Sequence, residues 1–249
     1  MNNNIKYILL STVLFLASLS LKGQTSTDTA ALFKRIREIY TVNKAVPISY
    51  DFTIFYLQDG DKQEDNVKDT MFSHIELDGI RMHTKSKEVE VMQNEKYIIS
   101  VIPDQQQMMV GKTPVKPQMP AYEALNNELL SKVVTNWEER TADKKKTLMV
   151  RCNPEMGITS FEFSTDVKTG RLEEIKVKFP KALLPNQETE NTGPSRTHTV
   201  IKYIFSNYQP ISPSFPGFNE RNYFDIVEKE YVPAAAFKGY QIFLASPNL

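Results

Sequence analysis

The sequence predicts an α+β fold: one large curved antiparallel sheet, an open half-barrel, with two amphipathic helices on its concave face. Three observations predict it. Runs of alternating apolar and polar residues recur from Ile48 to the C-terminus, joined by turns too short to hold crossover helices, which is the pattern of antiparallel neighbours. Two other stretches, one before the first run and one in mid-chain, switch to a period of three to four. The chain is 249 residues, 41% hydrophobic and 10% aromatic, which is too apolar for disorder and long enough for a sizeable core.

The chain opens with MNNNIKYILLSTVLFLASLSLKGQ. Lys6 precedes an apolar run from Tyr7 to Leu21, Lys22-Gly23-Gln24 closes it, and no acidic residue occurs before Asp28. The run is shorter than the ~20 residues a spanning helix needs. Residues 1–23 therefore read as a cleaved secretory signal rather than a membrane anchor. No Cys lies near the cut to carry a lipid. Residues 24–249 then form a single exported, periplasmic domain with a C-terminal extension from about residue 207. The runner-up is two small domains divided at Gly111–Pro120, where three prolines mark an extended connector.

Asp28 to Asn43 is helical: Leu32, Phe33, Ile36, Ile39 and Tyr40 share one face, Lys34, Arg35, Arg37 and Glu38 the other, and Thr27 or Asp28 caps the start. ISYDFTIFYL is the first strand, with Tyr50, Phe52, Ile54 and Tyr56 in alternation. A polar loop follows. SHIEL and IRMHTKS pair about Asp78-Gly79, KEVEVMQ and KYIISVI about Asn94-Glu95, and Pro103-Asp104 turns into QQQMMV. Tyr122 to Trp137 returns to the helical period through Leu125, Leu129 and Val133. The strands KTLMVRC, ITSFEFS, RLEEIKVKF, THTVIKYIF and GYQIFLA complete a set of about nine, with Glu174, Lys176 and Lys178 giving a wet outer face.

That order of elements resembles the LolA/LolB-like superfamily of periplasmic lipoprotein carriers. The resemblance runs from ALFKRIREIY and ISYDFTIFYL through IRMHTKSKEVEVMQNEKYIISVIPDQQQMMV and a helix to ITSFEFSTDVKTGRLEEIKVKF, roughly residues 28 to 206. It implies an unclosed barrel over helices and an apolar cavity for a lipid, an acyl chain or another hydrophobic ligand, in a non-enzymatic protein. The carriers' gating Arg has no position here that matches it, so lipoprotein transfer itself is not implied.

Composition narrows the chemistry further. Thirty basic residues balance thirty acidic ones, which leaves no electrostatic case for a nucleic-acid partner. A single Cys excludes a disulfide framework and a Cys-based zinc site, and nine Gly without GxG exclude a glycine-rich phosphate cradle. No cofactor is expected. Cys152, in LMVRCNP, reads as a buried small hydrophobe. His74 and His83, flanking one hairpin with Glu76, form a conceivable ligand pair, but lack HExxH-type spacing and read as solvated strand residues. Lys144-Lys145-Lys146 reads as a solvated turn. The expected ligand cavity is lined by Tyr50, Phe52, Ile54, Tyr56, Met82, Met92, Tyr97, Ile99, Met108 and Trp137, on one shared surface; six of nine Met lie between residues 71 and 119, and Met adapts to variable apolar cargo. The other function carried forward is an interaction subunit of an envelope assembly, with the Phe- and Tyr-rich stretch after Asn207 as its docking element for a protein partner.

Overall fold

The structure, a computed structural model, describes residues 24–42, 47–58, 70–113, 131–180, 198–212 and 214–245. The expected signal segment and the loops at 59–69 and 181–197 lie outside them, as do Met119 and most of the expected connector and second helix.

In chain order the elements are β1 (Gln24–Ser26), α1 (Thr29–Val42), β2 (Ile48–Gln58), β3 (Thr70–Asp78), β4 (Arg81–Ser86), β5 (Glu90–Gln93), β6 (Tyr97–Ile102) and β7 (Gln107–Lys112). There follow β8 (Val134–Ala142), β9 (Lys145–Cys152), β10 (Ser160–Asp166), β11 (Leu172–Pro180), β12 (His198–Pro210), β13 (Phe224–Val227), β14 (Glu230–Pro233) and β15 (Gln241–Leu244). Thirteen strands make one open sheet in the order β1-β8-β9-β10-β11-β12-β2-β3-β4-β5-β6-β7-β15; β13 and β14 form a separate hairpin. All neighbours are antiparallel except β15, which lies parallel to β7. The α+β class and the open antiparallel sheet are as the sequence predicts.

Paired residues share a sheet face and successive residues alternate, so the registers sort every side chain to one of two faces. On the first, the helix face, Leu32, Ile36 and Ile39 of α1 pack on Leu148, Val150, Cys152, Phe163 and Leu172. Asp28 caps the helix, its carboxylate accepting from the amides of Ala30 and Ala31 at 2.9 and 3.1 Å. Its carbonyl accepts from Trp137 Nε1 at 2.9 Å, and Arg35 donates to Glu139 at 2.6 Å, so the start and the middle of the helix are tied to β8. Cys152 is buried, and burial pushes its thiol up to about 11, which leaves it an unreactive packing residue.

The second core lies on the opposite face at the other end of the sheet. After β12 the chain runs back over β4 to β7 as a strap. Its Tyr223 and Phe224 bury against Met92, Ile99, Val101, Met108 and Val110, with Tyr97, Tyr231, Phe237 and Tyr240 around them. Phe224 meets Tyr97 edge-on at 5.3 Å between ring centres, and Arg81 stacks over Phe218 at 5.1 Å. Asn94, buried, donates to the Phe218 carbonyl at 3.2 Å and to Glu220 at 2.8 Å while accepting from the amides of Lys96 and Tyr97 at 2.8 Å, so every polar atom of its amide is used. The strap aromatics expected to dock a partner are therefore spent on the protein's own core.

Three sequence expectations change. The helix assigned to 122–137 cannot end at Trp137: residues 131–133 are helical and β8 begins at Val134. A bulge at Thr135 puts Val134 and Trp137, three apart, on the same face, which imitates a helical period. The turn of the β3–β4 hairpin falls on Gly79-Ile80, one residue later than expected, because Gly79 takes φ +61°, which glycine adopts without steric cost. Lys145 and Lys146 belong to β9 and pair with Glu173 at 3.0 Å and Glu139 at 2.9 Å, instead of standing solvated in a turn.

Phe224→Ala should cost about 3–5 kcal/mol, and amide exchange should rise first in the strap and β5–β7 rather than in α1 and β9–β11. Hydrogen-exchange mass spectrometry checks both the size and the order.

Candidate functional site

Strand registers split the ten expected cavity residues. Tyr50, Phe52, Ile54 and Tyr56 of β2, Met82 of β4 and Trp137 of β8 lie on the helix face. Met92, Tyr97, Ile99 and Met108 lie on the strap face. They do not line one surface. Met92, Ile99 and Met108 are fully buried beneath the strap, whereas their neighbour in sequence Met109 points the other way and is exposed. Among the described residues the Met-rich stretch is thus divided by alternation between two faces.

What the fold does bring together is a row of rings on the helix face, beside the α1 core. Phe52 of β2 stacks on Tyr203 of β12 at 5.8 Å and tilts against Phe205 at 5.2 Å. Tyr50 follows, 5.9 Å from Phe205 and 5.3 Å from Tyr208. Arg171 then stacks over Tyr208 at 5.1 Å. The row is half-buried, and Tyr56, at its other end, is exposed. From Tyr50 to Tyr56 an extended strand rises ~20 Å. Burial pushes the Tyr50 hydroxyl up to about 12, and burial also raises Tyr203 and Tyr208, so the strip stays uncharged at neutral pH.

Two bulges build the Arg171 end. β12 carries extra residues between Ser206 and Gln209, where Asn207 takes φ +54° and donates to Asp51 at 2.7 Å. The bulge turns Tyr208 onto the helix face, and its hydroxyl donates to the Leu172 carbonyl at 2.5 Å. A second irregularity in β11 falls between the partners of Ser164 and Thr165, beside it. Sequence reasoning placed Tyr203 and Phe205 in a strand but gave them no role, and it missed Tyr208 and Arg171. The period-two pattern breaks at Asn207, and an Asn in a strand run was the available signal.

On the strap face a second set of polar groups forms a ladder across the strands. Asp51 meets His74 Nδ1 at 2.7 Å, His74 Nε2 lies 3.5 Å from Glu76, and Glu76 meets His83 Nδ1 at 2.6 Å. His83 Nε2 meets Glu90 at 3.0 Å, and Glu90 accepts from the Tyr223 hydroxyl of the strap at 2.7 Å. His83 is thus held between carboxylates rather than solvated, whereas His74 meets Asp51 and Glu76 but keeps 42% of its side chain exposed. Burial works against the charged form of His83, but hydrogen bonds to Glu76 and Glu90 outweigh it and hold the imidazole up at about 9. The His83 hydrogen bond, with Tyr223 and Lys85, outweighs burial and holds Glu90 down to about 2. Among the described residues no group of three His, Cys, Asp or Glu is placed to hold a metal ion. The ladder fastens the strap.

Its charge sets a pH window. The raised His83 value adds stability that is complete below about pH 6.5 and lost as pH rises through 9; the lowered Glu90 value adds stability present above about 4.5 and lost as pH falls through 2. The melting temperature should be highest between about pH 4.5 and 6.5 and decline toward 9, and His83→Gln should flatten the alkaline decline in a calorimetric series.

No known family's sequence profile matches the chain, and no curated protein matches it. Among solved structures it is similar to an uncharacterized conserved protein from Thermus thermophilus, at 10% identity and a TM-score of 0.43 over 84% of this chain and 99% of that one. It is similar to LolA superfamily protein NE2245 from Nitrosomonas europaea at 8% identity and a TM-score of 0.28, covering 70% of this chain and 90% of that one. A DUF1329 family protein from Desulfovibrio piger follows at 10% identity and a TM-score of 0.31, covering 77% of this chain and 97% of that one. All three are likenesses in the arrangement of strands and helices.

Proposed function

We propose that the protein is an exported, non-catalytic periplasmic carrier that holds an acyl chain or a similar apolar ligand along the helix-face aromatic row. The observation that supports this reading is the row itself: Tyr203, Phe52, Phe205, Tyr50 and Tyr208 form a continuous, half-buried, uncharged strip beside the α1 core. Large rings left half in water hold unsatisfied apolar area, and covering each is worth about 1.5–3 kcal/mol. A chain laid along the strip supplies that cover, and the ring edges and hydroxyl tips tolerate chains of different shape. Export rests on the N-terminal residues 1–23. No helix among the described residues is long and apolar enough to cross a membrane.

A second reading, an interaction subunit of an envelope assembly, has one specific observation behind it. Ile226, Val227 and Val232 of the β13–β14 hairpin are exposed, as are Leu244 and Phe243 of β15 and Met109 of β7. The hairpin residues and Leu244 lie on the strap side while Met109 and Phe243 lie on the other face of the same edge, and exposed apolar side chains at an edge of that kind mark contact surfaces.

Dodecanol titrated into the delipidated protein should bind, with heat or tyrosine-fluorescence change as the readout. Phe52→Ala and Phe205→Ala should each weaken it about tenfold, and Ile80→Ala, at an exposed turn, should not. Absence of binding to the unaltered protein, together with loss of a co-purifying envelope partner on Ile226→Asp, would favour the second reading.

A further inference from the structure

The sheet has two outer edges, and they differ. At one lies β1, three residues of polar sequence. At the other lies β15, Gln241-Ile242-Phe243-Leu244, with β7 as its sheet neighbour. Apart from its shortness, β15 carries none of the devices that keep an edge from pairing: it has no proline, no bulge and no charge. No side chain from Gly239 to Leu249 is charged.

The register on β7 fixes which backbone groups face outward. Gln241 donates to the Gln106 carbonyl at 2.9 Å and Ala245 to the Val110 carbonyl at 2.8 Å. By alternation Gln241, Phe243 and Ala245 bond inward, and Ile242 and Leu244 turn their N–H and C=O away from β7. Among the described residues no hydrogen bond takes up those outward groups. The side chains around this open backbone are apolar and about half exposed. Phe243 and Met109 stand on the helix face, and Leu244 on the strap face. Against β15 on the strap side lies β14, whose hairpin adds the exposed Ile226, Val227 and Val232.

An edge open in its backbone and apolar on both faces fits an extended strand with the same properties. Of the sheet's two edges only β15 has them, so the occupant that fits is a second copy of the same strand. We propose that β15 is a self-association edge: two copies of the chain join β15 to β15, antiparallel about a twofold axis, so that one sheet continues into the other. The outward groups set the register. Ile242 opposes Leu244 of the second copy and Leu244 opposes its Ile242, for about four backbone hydrogen bonds. Phe243 then sits on the axis and faces its own counterpart at a non-hydrogen-bonded position, where side chains approach most closely. With no charge on the strand, no like charges meet. Covering the six apolar side chains on both copies buries on the order of 1,000 Å², the threshold for a specific pair. Four residues of strand make a small interface, so the joining is reversible. The aromatic row of β2 and β12 lies away from this edge, with β3 to β7 between, so the inference is independent of the chain-binding reading. It assigns the exposed edge to a copy of this chain instead of an envelope partner.

Sedimentation equilibrium on the protein from Gln24 onward should show monomers and dimers exchanging, with a Kd on the order of 10 μM. Phe243→Lys and Phe243→Glu should each raise that Kd about 100-fold by setting like charges across the axis. Mixing the two variants should restore a dimer within about tenfold of the original affinity, because opposite charges then face each other. Leu244→Pro, which deletes an outward N–H and leaves the donors to β7, should also give a monomer. Unchanged hydrogen exchange in β6 and β7 at low concentration checks that each variant keeps β15 docked. A protein that stays monomeric up to about 200 μM overturns the proposal, as does a dimer that neither charge nor proline weakens. Failure of the mixed variants to pair overturns the twofold register. Assemblies growing past two copies mean head-to-tail joining and overturn the closed pair. A monomer that takes up a foreign protein through this edge, lost on Phe243→Lys, overturns the second copy as occupant and leaves the envelope-subunit reading standing.

Discussion

The constraint on which this structure depends is the period of two in an extended strand. Each residue commits its side chain to one face of the sheet, and hydrogen-bonded register carries that commitment from strand to strand. A sheet thirteen strands wide has more apolar surface than one helix can cover. Among the described residues two covers lie on opposite faces: α1 over β9 to β11, and the strap over β4 to β7. Between them the helix face keeps its rings half-buried, and that interval is where the proposed ligand would lie.

Much of this was legible in the sequence because it is local. Alternation located β2 to β7, β9 to β12 and β15, and the helical period of Leu32, Ile36 and Ile39 located α1. Sidedness relative to distant segments was not legible. Met92, Ile99 and Met108 alternate just as Tyr50, Phe52 and Ile54 do, and nothing local states that the first set meets a strap more than a hundred residues later while the second flanks a helix. The same distance hid the strap partner of Glu90, since Tyr223 reaches it across 133 positions. Irregularities misled for a different reason. The bulge at Thr135 gave β8 a helical spacing, and the bulge at Asn207 removed Tyr208 from the pattern that would have linked it to Phe205.

The polar groups follow the same partition. On the strap face Glu162, Lys176, Glu174 and Lys202 form a surface ion network, with Lys176 3.2 Å from Glu162. Such pairs contribute little stability individually. They keep a broad antiparallel face wet. The His83–Glu90 end of the ladder differs because it is largely buried where Tyr223 of the strap reaches it, so hydrogen bonds decide the protonation of His83 and Glu90. Charge on this molecule is therefore arranged by strand register as fully as apolar area is.

The parallel strand β15 carries a consequence for how the chain is made. Its place beside β7, and the aromatic cover that precedes it, come from segments made after every other strand of the sheet. Until then β5 to β7 present Met92, Ile99, Val101 and Val110 as bare oil next to an unpaired strand edge, a combination that invites aggregation. The α1 core can close early, from segments already made, but the second core waits for the strap. A break in the chain ahead of the strap leaves a protein that is sound at one end and adhesive at the other.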